Sequence, residues 1–586
     1  MEDKRIGVYI CWCGTNIALM VDVEKVTHEM AKIPDVVISR DYKYMCSDPG
    51  QELIIKDIKE NNLNRVVVAS CSPRMHELTF RNALKKTGLN PYYFEMANIR
   101  EQDSWVHTDR HEATKKAEAL VLAAINRVRY HEALDSRKVQ INPATLVIGG
   151  GITGISAALE IAGSGERVYL IEQSDKLGGQ AAGLDLTFPY MYSAVQMLKP
   201  LVRKVSTDPN VEIFLNSQIK EIKGYIGNFE AQITSAGKGE TNIKFGNIIV
   251  ATGLKTFDPS VIESYGYGKF PDVITSTEFE KMLLDGLIQK KNGTEPENIA
   301  IIHCVGSRNK NYHEYCSRIC CSTALKFANQ VRSQLPKANI FELYADMRAF
   351  GKGCEELYTF TSRRNIKFLM FDQENELPRV MKAEKSDHCD MLIDLNEKLS
   401  GKTVLVPADL IVLMVGLEAR QDVKHVAHTT GLSICGNEFY IEKHPKLDPV
   451  ATTTYGVFIA GACQAPKDIP ESVSQAKAAA ARILSTIARG SVEVEATTSC
   501  VNEEICCGCQ TCIRICPYSA ISFLEDKKVS FVNEILCKGC GTCGSGCPTG
   551  AIKCKHFTDA QIFSEIEGLM NMSFSMEEIK EAEYGI

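Results

Sequence analysis

The sequence predicts an α/β protein of several domains, and three observations lead there. Strand-like and helical segments alternate from residue 144 to about residue 485. A G-x-G-x-x-G turn, Gly149 to Gly154, opens that region between a strand and a helix. Residues 486–556 are instead poor in helix and crowded with cysteine and glycine, as in a module stapled by metal. At 586 residues the chain is larger than one core can serve. The expected division is a small α/β domain over 1–140, a dinucleotide-binding domain over 141–490, the cysteine-rich module over 491–556 and a helical tail over 557–586.

In the first domain Ile6 to Cys11 and Arg65 to Ala69 read as strands, and Thr114 to His131 has the periodicity of a helix. Apolar residues make up 45% and charged residues 24%, which excludes a largely disordered chain. A net charge of −7 gives no sign of nucleic-acid binding. The N-terminus lacks a secretory pattern, and the longest apolar runs, such as Leu410 to Val415, are of strand length. A cytoplasmic, soluble protein that does not span a membrane is expected. In that compartment 23 cysteines in tight sets point to metal clusters rather than disulfides, and to a low-oxygen setting.

Cys506, Cys509, Cys512 and Cys516-Pro517 spell C-x2-C-x2-C-x3-C-P, and Cys537, Cys540, Cys543 and Cys547-Pro548 repeat it. Three thiolates on such short loops wrap one 4Fe-4S cubane while the fourth reaches the other cluster. One cluster is therefore assigned to Cys506, Cys509, Cys512 and Cys547, and the second to Cys537, Cys540, Cys543 and Cys516. Paired zinc ribbons would also use C-x2-C, but not the doubled C-P ending. This is a two-cluster ferredoxin domain, with Cys507 outside the repeat.

At the glycine turn Gly149 permits the tight bend, Gly151 lets the backbone approach a pyrophosphate, and Gly154 allows close helix packing. Glu172, at the end of the next strand, is placed to accept ribose hydroxyls. Gln173, Lys176-Leu177-Gly178-Gly179-Gln180 and Ile248 to Ala251-Thr252-Gly253 follow. These segments resemble the FAD-binding elements of thioredoxin reductase-like flavoproteins, which implies FAD. Thr454 to Gly461 resembles the strand after which those proteins place an aspartate against the ribityl chain, but this chain has Ala462 and Cys463. A backbone amide or Asp468 is the expected substitute, and Cys463 is read as a packing thiol before a redox one. The strand Asn298 to Ile302 runs into His303-Cys304-Val305-Gly306-Ser307-Arg308, which lacks the turn for a second dinucleotide and disfavours direct NAD(P)H oxidation.

Cys304, Cys316, Cys320 and Cys321 form a C-x11-C-x3-C-C set, read as a cluster site ahead of zinc or packed thiols. This set, Arg40 to Gly50 (RDYKYMCSDPG), Ala69 to Arg74 (ASCSPR), Glu95 to Arg100 (EMANIR) and Gly461-Ala462-Cys463-Gln464 together resemble the heterodisulfide reductase A-subunit family, almost end to end. The resemblance implies a further 4Fe-4S cluster in the first domain, for which Cys11, Cys13, Cys46 and Cys71 are the thiols available before residue 300. The four sets make four clusters and use sixteen cysteines, leaving seven of the 23. The stretch Ser276 to Glu297 has no cysteine, so this is a short form without the inserted ferredoxin of many methanogen members.

The resemblance also implies electron bifurcation at the flavin, with Lys326 at the position where relatives turn a lysine toward it. The plainer reading of Lys326 is a surface lysine on a helix. Expected partners are the other subunits of a heterodisulfide reductase-like complex, a donor subunit of hydrogenase, formate dehydrogenase or NADH-oxidising type, and ferredoxin, with a homodimer inside the larger assembly. The competing functions are a non-bifurcating relay subunit of a quinone-linked or acyl-CoA-linked reductase, and an NAD(P)H-dependent disulfide reductase. The last needs a C-x-x-C pair at the flavin, and none is free.

Overall fold

The computed structural model describes residues 3–237, 239–384 and 388–573. The end of the expected tail, 574–586, lies outside the described residues. Contacts divide the chain into two compact units, Met1–Lys138 with Glu493–Ile586, and Val139–Val492. The first domain and the cysteine-rich module, far apart in sequence, thus pack as one unit.

The N-terminal portion of that unit is a four-stranded parallel sheet, β1 (Ile6–Cys11), β2 (Val36–Tyr42), β3 (Arg65–Ser70) and β4 (Phe94–Asn98), in the order β2-β1-β3-β4. β1 and β3 are buried at every residue, as their continuous apolar runs require of central parallel strands. Helix α1 (Arg110–Val128) presses Ala113, Ala117, Val121, Ala124 and Ile125 into the core beneath the sheet. Asp109 starts this helix by accepting the Glu112 amide. Cys11 ends β1, Cys13 and Cys46 stand in the turns after β1 and β2, and Cys71 follows β3 directly. Chain order therefore collects four thiols at one edge, the carboxyl ends of neighbouring parallel strands, where open α/β sheets bind ligands.

The second unit carries two five-stranded parallel sheets. One contains β5 (Thr145–Ile148), β6 (Val168–Ile171), β7 (Val211–Phe214), β8 (Asn247–Val250) and a last strand, Val457–Ile459, in the order β7-β6-β5-β8 and then that strand. Helix α2 (Ile152–Ala162) follows β5 and shares a core with β5, β6 and β8. The other sheet contains β9 (Val273–Thr275), β10 (Asn298–Val305), β11 (Asn339–Tyr344), β12 (Ile366–Met370) and β13 (Leu410–Val415), ordered β9-β13-β10-β11-β12. Leu410 to Val415, judged of strand length from its apolar run, is a fully buried strand. Helix α3 (Cys320–Gln334) follows β10, and helix α4 (Ile469–Arg489) closes the unit against α2.

In the cysteine-rich module Ser499–Val501 pairs antiparallel with Ile552–Cys554, and Ile521–Leu524 with Val529–Val532. The two cysteine loops repeat one another in backbone as well as sequence. Gly508 and Gly539 both take positive φ, and a Cβ there would meet Lys528 O at 2.6 Å and Thr497 O at 2.1 Å. Only glycine fits both turns. Helix α5 (Asp559–Ser573) lies along α1, with Gly568 so close that a Cβ would reach Ala123 Cα at 2.6 Å. Arg81 pairs with Glu495 at 3.1 Å, Lys85 with Glu493 at 2.9 Å and Arg127 with Glu565 at 3.0 Å, tying the C-terminal segments to the first sheet.

Candidate flavin and iron–sulfur sites

The turn after β5 has the geometry its glycines call for. Gly149 takes φ +111°, and a Cβ there would stand 2.4 Å from Ala251 O, just past the end of β8. A Cβ at Gly154 would fall 1.9 Å from Gly149 O, so this residue sets how closely α2 meets the turn. Gly151 differs from both, since its Cβ position is open, with Gly179 Cα nearest at 3.9 Å. That is the space a pyrophosphate needs at the amino end of α2. Glu172 is held across the turn, accepting from Gly150 N at 2.7 Å and Ser174 N at 2.9 Å.

These groups border a cavity of about 520 Å³, within the ~300–1,000 Å³ of small-molecule sites. Gly149, Gly151, Glu172, Gln173, Lys176, Gly179, Gln180, Ala251, Thr252 and Gly253 line it. Gly154 and Gly461 do not reach the cavity lining. Gly461 packs on Thr153, and its amide donates to Gln475 Oε1 at 2.8 Å, leaving no free donor for a cofactor. Asp468 does line the cavity, but its carboxylate caps α4 by accepting the Glu471 amide at 2.7 Å. Cys463 is a packing thiol, buried with its Sγ 3.3 Å from Val250 O and 3.2 Å from Ala460 O. Burial pushes it up to about 11. The cradle fits FAD, and Gly154→Ala is expected to test it. The added methyl drives α2 off the turn, and the dissociation constant for FAD should rise about tenfold, equivalent to ~1.4 kcal/mol.

Lys326 is not a surface lysine. It is 2% exposed and lines the same cavity. Its Nζ donates to both oxygens of Glu280, at 2.6 and 2.7 Å, and to Leu186 O at 3.0 Å. Burial lowers its pKa, with the Glu280 charge opposing. Asp185 N and Lys326 Nζ both donate to Glu280 Oε1, and Gln330 donates to Asp185. Glu280 was missed in the sequence, where it reads as one of two acids on the helix Ser276–Leu284.

Cys320 also lines the cavity, so the first two turns of α3 carry one thiol of the paired-cysteine set and Lys326 along one wall. Cys304, at the end of β10, is raised to about 12 by burial and then by the neighbouring Cys321 and Cys316 thiols. Burial and the other three thiols raise Cys320 as well. Such mutual repulsion places the four sulfurs together. Basic groups flank them, with Arg308 beside Cys304, Arg348 beside Cys316 and His303 beside Cys321. His303 is itself paired with buried Glu342. The turn that lacks a dinucleotide cradle serves this set instead. A Cβ on Gly306 would strike the Phe257 ring at 2.3 Å, closing the space a pyrophosphate would occupy.

In the first domain, burial raises Cys11 and Cys71 to about 11, and Cys13 adds to both. Cys46 is raised by burial and by Cys13, so these four thiols also converge. Arg100 donates to Cys13 Sγ at 3.2 Å, a cation placed to stabilise a thiolate-bound cluster. In the ferredoxin module a small cavity is lined by Cys516, Cys537, Cys540 and Cys543. The distant Cys516 thus faces the second loop, as swapped ligation requires. Backbone amides donate to Cys537 Sγ from Ser499 at 3.3 Å and Gly539 at 3.4 Å. Cys512 and Cys547 share the module's core, while Cys509 is exposed and Cys506 half-buried.

Residues 143–302 match the family model for pyridine nucleotide-disulphide oxidoreductases, and residues 531–553 match that for the 4Fe-4S binding domain. With the cleft and thiol sets, these define a flavin- and iron–sulfur-dependent oxidoreductase subunit, binding FAD and 4Fe-4S clusters. The chain is 39% identical over 611 residues to the A-subunit of the H(2):CoB-CoM heterodisulfide,ferredoxin reductase of Methanothermobacter thermautotrophicus, covering 90% of this chain and 91% of that one. It is 40% identical to the second of two iron–sulfur A-subunits of the CoB--CoM heterodisulfide reductase of Methanopyrus kandleri, covering 97% and 99%. The chain belongs to the heterodisulfide reductase A-subunit family. The second alignment runs to 653 positions against 586 residues here, so that relative holds segments this chain lacks, as a short form requires. Among solved structures, thioredoxin reductase of T. acidophilum aligns with 59% of this chain and 99% of its own, at 17% identity and TM-score 0.40. No helix among the described residues is long and apolar enough to cross a membrane.

Proposed function

We propose that this chain is the electron-bifurcating subunit of a heterodisulfide reductase-like complex, dividing electron pairs from a donor subunit between ferredoxin and a disulfide acceptor. One observation carries the reading, the shared wall on which α3 sets Cys320 and Lys326 against the dinucleotide cavity. FAD, when bound, supplies the exchange between two-electron and one-electron chemistry. The glycine turn and Glu172 hold its nucleotide end. Lys326 Nζ would hold a proton and a positive charge at the wall of the cavity in which FAD would bind. Glu280 fixes that ammonium in one place. Four 4Fe-4S clusters stand on the four thiol sets, that of Cys304, Cys316, Cys320 and Cys321 next to the cavity.

The donor is a hydrogenase, formate dehydrogenase or NADH-oxidising subunit. Relatives carry H(2) or H(2)/formate, together with ferredoxin, in their names. The protein works as a homodimer within the complex, in the cytoplasm. The test is a coupled assay on the complex that co-purifies with this chain. Ferredoxin reduction should require the disulfide acceptor, with the two products formed in equal electron amounts. Ferredoxin reduction at the same rate without the acceptor would show a plain relay, as would co-purification with quinone-linked or acyl-CoA-linked subunits alone.

A further inference from the structure

We infer that Glu95, His131 and His556 form a site for one zinc-class divalent cation, which staples the cysteine-rich module to the first sheet. The three come from distant places, Glu95 in β4, His131 just after α1 and His556 just after the strand Ile552–Cys554. One ligand atom from each lies within 4.8 Å of the others. None belongs to the four thiol sets.

Two independent features point to an ion. The His131 side chain is wholly buried, yet neither of its ring nitrogens has a hydrogen-bond partner, and Nδ1 of buried His556 has none either. Native interiors rarely leave such atoms bare. His131 Nε2 is 3.2 Å from Glu95 Oε2 but off the line of a hydrogen bond. The two imidazoles also face one another, with ring centres 4.0 Å apart. A cation between the nitrogens would give them the partner they lack.

The donor set selects the ion. Two imidazoles and one carboxylate suit zinc, while calcium and magnesium take oxygen. Arg127 completes the surround. Its Nε lies 3.3 Å from Glu95 Oε2, and its other nitrogens bind Glu565 and the His556 carbonyl. It orients the carboxylate from outside, as outer partners of metal ligands do. Water fills the fourth position.

The test uses full-length, FAD- and iron-loaded protein equilibrated with Zn²⁺ and desalted, with zinc and iron then counted by mass spectrometry. Wild type should retain one zinc per chain, and Glu95→Gln and His556→Gln should each lower retention roughly tenfold or more at unchanged iron and FAD. Zinc should also raise the melting temperature of depleted wild type but not of the variants. Equal zinc in wild type and variants overturns the site. Should a variant lose iron as well, wild type decides alone, since no retained zinc and no shift in melting temperature also overturn it.

Discussion

Cys516→Ala is expected to destroy the cluster held by Cys537, Cys540 and Cys543, and to spare the one held by its sequence neighbours Cys506, Cys509 and Cys512. Cys516 lies within the first loop's repeat, so a reading by proximity predicts the opposite. The expectation rests on the cavity that Cys516 lines with Cys537, Cys540 and Cys543. Cys516 Sγ also accepts the Ala520 amide at 3.4 Å. Iron should fall by about four atoms per chain. The decisive comparison is spectroscopic. The low-temperature electron paramagnetic resonance of reduced Cys516→Ala should match that of Cys540→Ala and differ from that of Cys509→Ala. A match to Cys509→Ala instead would mean that each loop binds its own cluster. Because clusters stand in for a hydrophobic core in so small a module, its local melting temperature should fall as well.

Lys326→Met is expected to be the most destabilising single change in the second unit outside the cluster ligands. Glu280 is 3% exposed, and with the ammonium gone its charge is left buried with only the Asp185 amide as donor and no opposing charge, which costs about 3–5 kcal/mol. Thermal unfolding should report the loss. The double variant Lys326→Met/Glu280→Gln removes both charges and should recover most of the stability, since an absent buried pair is cheap beside a broken one. The flavin potential should separate structure from function. It should stay displaced in the stabilised double variant, because no positive charge remains at the cavity wall, and coupled ferredoxin reduction should stay lost. A double variant with wild-type potential and coupling would leave Lys326 a purely structural residue.

Much of this site was legible because its chemistry is written in short intervals. A turn such as Gly149 to Gly154 depends on backbone space within a few residues, so three glycines between a strand and a helix announce it. The cysteine repeats of the ferredoxin module are equally local, and their matching loops appear with matching glycine turns at Gly508 and Gly539. Gly461 shows the limit of reasoning from a segment's pattern. Its strand has the expected form, but the Gln475 side chain, fourteen residues on, takes the amide that a cofactor would need.

Local order along the chain determined the α/β class, the dinucleotide turn and the repeated cysteine loops of the ferredoxin module. Each of these rests on interactions across a handful of residues, and spacing records such interactions faithfully. Tertiary structure alone decided that Lys326 is buried against Glu280, 46 residues away, rather than exposed on its helix. It also decided that Cys11, Cys13, Cys46 and Cys71 meet at one sheet edge, and that His131 meets His556. A side chain's partner there depends on which strands lie side by side and which faces they bury. Those choices are made by the packing of the whole core, and no short interval of sequence contains them.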